Sequence, residues 1–364
     1  MNMKVGKLAA AALSACLLTA QSAQAVEFGA FGNVNLEKIE NQAGTFALGG
    51  FDLFARQDIS DKSSALVEYV IESGDGTSFV LDLERLTVDY EFGRALTVSA
   101  GRIHSKAGYW NTAYHHGQFL QPTIARPEFL EFEDGKGADF PMHLIGLFAD
   151  GELSSAAGVF KYHGAWANNP QIDKTVAAND REILLTMNSD VQSNKTIAGK
   201  ISFEPDRTPI QIGIYGQSST YNSTSGSTPA GRPQLDQSIL GVDLHANLGN
   251  LEFLTEYYSI SNDDRVGTAG SHDVTDWFVQ AGYSIAEVFT PTVRYESSNG
   301  DDSTDVFRNG TLFSRDGYTK WVGALRYDVD ESNAVTIEYS NRNSDVNGIA
   351  DVNALELQWS FMVF

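Results

Sequence analysis

The sequence predicts an all-β chain that closes into a transmembrane antiparallel β-barrel of about 16 strands, with about 18 as the upper bound. Three observations carry that expectation. After residue 25 no stretch approaches the roughly 18 consecutive apolar residues that a membrane-spanning helix needs. The chain instead repeats short runs of period-two alternation, with full charges on the polar face and aromatics at the ends of the apolar face. Its connections alternate between short turns and long loops, as in barrels whose strands cross a bilayer. Only helices and closed barrels satisfy every backbone polar group in lipid, so a spanning chain without apolar helices must be a barrel.

The N-terminus reads as an export address. Lys4 and Lys7 precede an apolar run over 8–19, and Ala23-Gln24-Ala25 fits the small-residue cleavage rule. Residues 1–25 are therefore expected to be a signal peptide, leaving 339 of 364 residues as one barrel domain, 26–364. The rival is a lipoprotein box, Leu13-Ser14-Ala15-Cys16, but Leu17-Leu18 carry the apolar run past the cysteine. Cleavage after Ala25 removes the one cysteine, which excludes disulfides, cysteine-zinc sites and thiol nucleophiles.

Losing Lys4 and Lys7 takes the formal charge from −22 to −24. So acidic a chain is a poor partner for nucleic acid. It suits contact with cations, or with divalent ions that bridge anionic lipid. No linker, low-complexity tract or second domain interrupts the alternation.

The strands are read from parity. Ile197, Gly199, Ile201 and Phe203 share one face, opposite Ala198, Lys200 and Ser202. Leu240, Val242, Leu244, Ala246 and Leu248 oppose Gly241, Asp243, His245 and Asn247. Similar runs lie at 277–285, 321–329 and 335–340, with Trp277, Trp321 and Tyr339 at the ends of apolar faces. A phase slip between Leu83 and Leu86 predicts a bulge near Glu84-Arg85. Seventeen strands can be marked, and a barrel with both termini in the periplasm needs an even number. The weakest, 181–190, holds the non-alternating Ile183-Leu184-Leu185 and is assigned to a loop. Short turns are expected at Phe92-Gly93-Arg94, Asp150-Gly151, Gly249-Asn250 and Asp330-Glu331-Ser332.

The final run, Leu355-Glu356-Leu357-Gln358-Trp359-Ser360-Phe361-Met362-Val363-Phe364, resembles the terminal signal of bacterial outer-membrane proteins. Phe364 departs from it by standing one step out of phase with Leu355, Leu357, Trp359, Phe361 and Val363. The chain from residue 26 resembles the porin superfamily, and Gly101–Asn111 is loosely similar to a Gly-basic…Gly stretch of the phosphate-selective porin group. The basic ladder that a phosphate channel needs is not visible. The resemblance implies the cell outer membrane, a channel for passive diffusion of small hydrophilic solutes or ions, and no cofactor. It implies outer-membrane lipid, lipopolysaccharide and the assembly machinery as partners, with a homotrimer left open. The alternative is a non-conducting barrel acting as adhesin, receptor or structural protein.

The expected site is the long third external loop, about 104–140. A loop holding Tyr109, Trp110, Tyr114, Phe119, Phe129 and Phe132 should pack against something, and the inner wall is the available surface. Arg126, Glu128, Glu131, Glu133 and Asp134 are the expected constriction residues, with Arg126 as counter-charge to the acids. Arg85, Asp89, Lys200, Asp243, Arg294, Arg326 and Glu338 are expected to line the channel, joined by Glu296 and Asp328.

Chemistry beyond transport has little footing. His115-His116, with His104, Glu131, Glu133 and Asp134, offers metal-ligand types without a diagnostic spacing, and is read as loop packing. None of the seven histidines sits in a motif with a catalytic mechanism, so no enzyme is predicted.

Overall fold

Sixteen strands form the wall in the computed structural model, which describes residues 26–363 apart from 74–77, 116–117, 132–137, 186–189, 191–192, 228–229, 300–304 and 346–349. They are β1 (Glu27–Ile39), β2 (Thr45–Ser60), β3 (Ser63–Ser73), β4 (Phe79–Gly93), β5 (Leu96–His104), β6 (His143–Ser155), β7 (Gly158–Ala167) and β8 (Thr196–Pro205). The second half is β9 (Ile210–Ser223), β10 (Pro233–Leu248), β11 (Leu251–Asp264), β12 (Ser271–Tyr283), β13 (Phe289–Asn299), β14 (Tyr318–Asp330), β15 (Asn333–Ser344) and β16 (Val352–Val363).

Each strand pairs antiparallel with the next, and β16 returns to β1 from Ala30↔Val363 to Ile39↔Ala354. Among the described residues closure leaves the sixteen wall strands without an unpaired edge. Among its described residues the weak stretch at 181–190 contributes Leu184–Leu185, a two-residue strand paired with Pro170 and Gln171 inside the β7–β8 connection. It stays out of the wall, so the even count holds.

Parity governs the two faces. Ile197 is 64% exposed on the outside while its neighbour Ala198 is 5% exposed on the inside. Aromatic clusters band both ends. Phe160 stacks on Phe203 and Phe289 on Tyr327 near the short turns, and Tyr295 joins Trp277 to Trp321 nearer the long loops. Such rings suit the interfaces of a bilayer. Phe364 lies outside the described residues.

Two local features depart from simple alternation. Glu68 pairs with Arg85 and Tyr69 with Leu83, so Glu84 is the extra residue of a bulge on β4. The bulge turns Glu84 and Arg85 inward together. Asp150-Gly151, expected as a turn, lies inside β6, paired with His163 and Tyr162, and the turn comes later at 156–157. The glycine serves close packing instead. A Cβ at Gly151 would meet the Ala95 carbonyl at 2.2 Å and the Tyr162 ring at 2.7 Å.

Candidate functional site

Between β5 and β6 the chain folds back into the barrel, and its apolar content explains why. Trp110, Phe129, Leu130 and Phe140 of this loop are buried in one cluster with Leu254, Tyr258 and Phe278 of the wall. The Trp110 ring meets Phe278 edge-on at 5.8 Å, and Phe140 lies 4.9 Å from Tyr258. Burying each such side chain contributes about 1.5–3 kcal/mol.

Hydrogen bonds then fix the path, with wall acids taking loop N–H groups and wall bases taking loop carbonyls. Lys200 on β8 pairs with Asp243 at 2.9 Å and donates to the Gly108 carbonyl at 2.8 Å. Gly108 has φ +67, and a Cβ there would lie 2.2 Å from Glu256 and Tyr258 oxygens, so only glycine lets the backbone come this close. Glu256 on β11 accepts the Trp110 N–H at 2.6 Å. Arg326 on β14 donates to the carbonyls of Phe119 and Gln121. Arg294 on β13 donates to Thr123 Oγ1 and the Ala125 carbonyl at 3.0 Å each, and to the Arg126 carbonyl at 3.2 Å. Glu338 on β15 accepts the N–H of Ile124, Glu296 on β13 that of Glu128, and the Tyr318 hydroxyl on β14 that of Phe129. The contacts run from β8 round to β16, where Gln358 donates to Gln118 at 3.2 Å.

Glu128 pairs with Arg342 at 2.8 Å and Lys320 at 3.7 Å, while Arg126 donates to the His115 carbonyl at 3.1 Å. The partners of Glu128 are therefore wall residues, in place of the expected Arg126. Glu131 is half-buried beside them, and Glu133 and Asp134 lie outside the described residues. Burial, reinforced by neighbouring Glu128, pushes the Glu131 carboxyl up to about 7. Burial also raises the Glu128 carboxyl, against the pull of Lys320 and Arg342.

The expected lining divides in two. Lys200, Asp243, Arg294, Arg326 and Glu338 point inward but are buried, because the loop docks on their strands. They do not line open water as expected. Glu296 is buried with them, and Asp328 pairs with Arg326 at 2.7 Å. Arg85, with its side chain 32% exposed, and Asp89 stand on β4 of the wall, where the loop reaches the neighbouring Glu84 and His104 through His115 and leaves these two partly exposed. At the short-turn end of that wall is a polar recess of about 540 Å³ lined by Arg56, Asp58, Lys62, Asp89, Glu91 and Thr97. A second recess, about 320 Å³, lies where the loop meets the long external connections, lined by Glu128, Glu131, Asp139, Arg308, Arg315 and Asp316.

Sequence reasoning missed Glu256, Tyr318, Lys320 and Arg342. Parity could have found Glu256, which stands next to outward Tyr257 on β11. Lys320 and Arg342 sit near strand ends, where alternation fades into loop.

No family model matches the chain, and no curated protein matches it by sequence. Among solved structures it is similar to the anion-selective porin from Comamonas acidovorans, at 12% identity over 93% of this chain and 99% of that one, with a TM-score of 0.62. The outer membrane channel DcaP of Acinetobacter baumannii is similar at 10% identity over 95% and 99%, with a TM-score of 0.64. OmpT, an outer membrane protein of Vibrio cholerae, in its trimer form gives 11% identity over 93% and 99%, with a TM-score of 0.58. At such identities the likeness is one of fold: this chain has the barrel fold of the outer-membrane porins.

Proposed function

We propose that the chain is a porin of the bacterial outer membrane, a water-filled channel for passive diffusion of small hydrophilic solutes or ions. One observation carries this reading. A loop is held across the lumen by charges of β8 to β16, while the polar wall of β1 to β5 keeps accessible Arg56, Asp58, Arg85 and Asp89. A sixteen-stranded barrel is wide enough to leave an aqueous passage beside such a loop. In this reading Arg126, Glu128, Glu131, Glu133 and Asp134 belong to the narrow section, and Arg85 and Asp89 line the passage.

The passage favours cations weakly. Acidic side chains outnumber basic ones in the chain, and carboxylates near a narrow, partly desolvated mouth attract cations. Outer-membrane lipid and lipopolysaccharide surround the apolar face, and the assembly machinery inserts the chain. A homotrimer is part of the proposal, by analogy with the trimer form of the Vibrio cholerae protein. Export proceeds by cleavage after Ala25, and intact mass of the exported protein should lack residues 1–25; a lipidated Cys16 would contradict this.

Planar-bilayer recording of the purified barrel tests the function. The expected result is discrete conductance steps with a reversal potential, in a salt gradient, on the cation side. A barrel that inserts and never conducts would favour the adhesin, receptor or structural alternative.

A further inference from the structure

Where the loop leaves and rejoins the wall, four metal-ligating side chains converge. They are Glu84 on β4, His104 at the end of β5, His115 on the loop and His143 at the start of β6. One ligand atom from each lies within 4.8 Å of all the others. We propose that this cluster is a binding site for a first-row transition metal ion, with Zn²⁺ as its representative, and that the ion fastens the loop to the wall. The proposal concerns the loop anchor and does not depend on whether the barrel conducts.

The distances fit one ion. Zinc holds imidazole nitrogen and carboxylate oxygen at about 2.0–2.2 Å in a tetrahedron, which sets ligand atoms about 3.3 Å apart. Here His115 Nε2 is 2.9 Å from His143 Nε2, and His143 Nε2 is 2.8 Å from Glu84 Oε2. With two pairs near 2.8–2.9 Å and every pair within 4.8 Å, the four atoms lie around the required separation, and side-chain adjustment on ion binding completes the tetrahedron.

The tautomer of His115 fits as well. Asn111 donates through Nδ2 to the carbonyls of Ser105 and Met142, which fixes its amide orientation. Its Oδ1 therefore faces His115 Nδ1 at 2.5 Å, and Nδ1 must carry the proton. The Nε2 lone pair is left aimed at His143. A ring held by an oxygen acceptor on its far nitrogen is the second contact that metal-bound histidines make. Arg102 Nη2 can only donate to His143 Nδ1, so the proton between the two ring nitrogens sits on His143 Nε2; the ion takes that proton's place and releases it to solvent.

The surroundings set charge and access. Glu68, 3.7 Å from His104, and Glu84 balance Arg85 and Arg102, whose Nη2 lies 3.4 Å from His143 Nδ1. Glu84, His115 and His143 are buried, and His104 keeps 11% of its side chain exposed as the way in from the lumen. Three imidazoles and a carboxylate select zinc, copper or nickel over calcium and magnesium. The β4 bulge is what brings Glu84 inward, and bulges often re-aim a side chain at a functional site.

Titration of the refolded full barrel with Zn²⁺ against a chromophoric chelator, and with Co²⁺ by visible absorption, tests the proposal. The expected result is one tight ion per chain and an intense tetrahedral Co²⁺ band. His115→Ala, His104→Ala and Glu84→Gln should each weaken binding at least tenfold. His272→Ala, outside the cluster, should leave binding unchanged. Heat-modifiable migration on gels confirms that each variant is a folded barrel, and His104→Ala, the most exposed position, is the safeguard if buried variants misfold. Absence of stoichiometric binding to the wild-type barrel would overturn the proposal, as would equal affinity in wild type and folded His104→Ala.

Discussion

The Glu338 carboxylate on β15 accepts the backbone N–H of Ile124 at 2.7 Å, so a wall residue holds the loop on the far side of the lumen from the strands that bear it. The same carboxylate accepts the Ala125 N–H at 3.3 Å. Glu338→Ala would leave both donors without their acceptor, a loss of about 1–3 kcal/mol. The expected outcome is a folded barrel with a looser loop, read as increased open-channel current noise and a lower unfolding midpoint in urea. Noise indistinguishable from wild type would mean that the remaining wall contacts hold the loop without Glu338.

Arg294 ties three loop acceptors to β13 and sits 3.5 Å from buried Glu296. Arg294→Met should cost about 3–5 kcal/mol, because it strands a buried carboxylate and frees the loop at once. Arg294→Lys should recover only part of this, since one ammonium cannot reproduce the guanidinium fork. Urea midpoints of the two variants against wild type check the order.

Glu131 gives a pH dependence. Its carboxyl is raised from 4.5 to about 7 by burial first and Glu128 second. It is therefore protonated well below pH 7 and ionised well above it, and negative charge enters the loop as pH rises. Cation preference should increase between about pH 6 and pH 8 and stay flat over that range in Glu131→Gln. For stability the sign is opposite: a carboxyl with a raised folded-state pKa favours the folded loop at low pH and loses that contribution as pH climbs through about 7. Salt-gradient reversal potentials at stepped pH check the first statement, and a pH-independent wild-type potential would contradict it.

Much of the architecture was legible in the residues. Period-two alternation from Ile197 to Phe203 and from Leu240 to Leu248 marked strands, and the requirement for an even count removed 181–190 from the wall. The slip at Leu83–Leu86 located the Glu84 bulge, because an extra residue must break parity. Asp150-Gly151 misled, since a glycine that accommodates a cross-strand ring looks the same in sequence as one that makes a turn. For the site, parity told which charges face inward, and Lys200, Arg294 and Glu338 do. It could not tell that the loop would dock on those strands and leave Arg85 and Asp89 accessible, because docking depends on contacts more than 90 residues apart in the chain, such as Lys200 with Gly108. The convergence of Glu84, His104, His115 and His143 was hidden for the same reason: only the β4 bulge and the loop's return bring them together.

In the proposed channel the loop between β5 and β6 occupies the lumen and narrows it. Single-channel conductance of a barrel lacking 112–134 tests this most directly. The deletion removes no residue of the sixteen strands, so the ladder stays intact and heat-modifiable migration should persist. The expected result is a larger single-channel conductance with reduced ion selectivity, because Phe129, Leu130 and the carboxylates of Glu128 and Glu131 leave the passage together. A folded deletion barrel with wild-type conductance would contradict the claim.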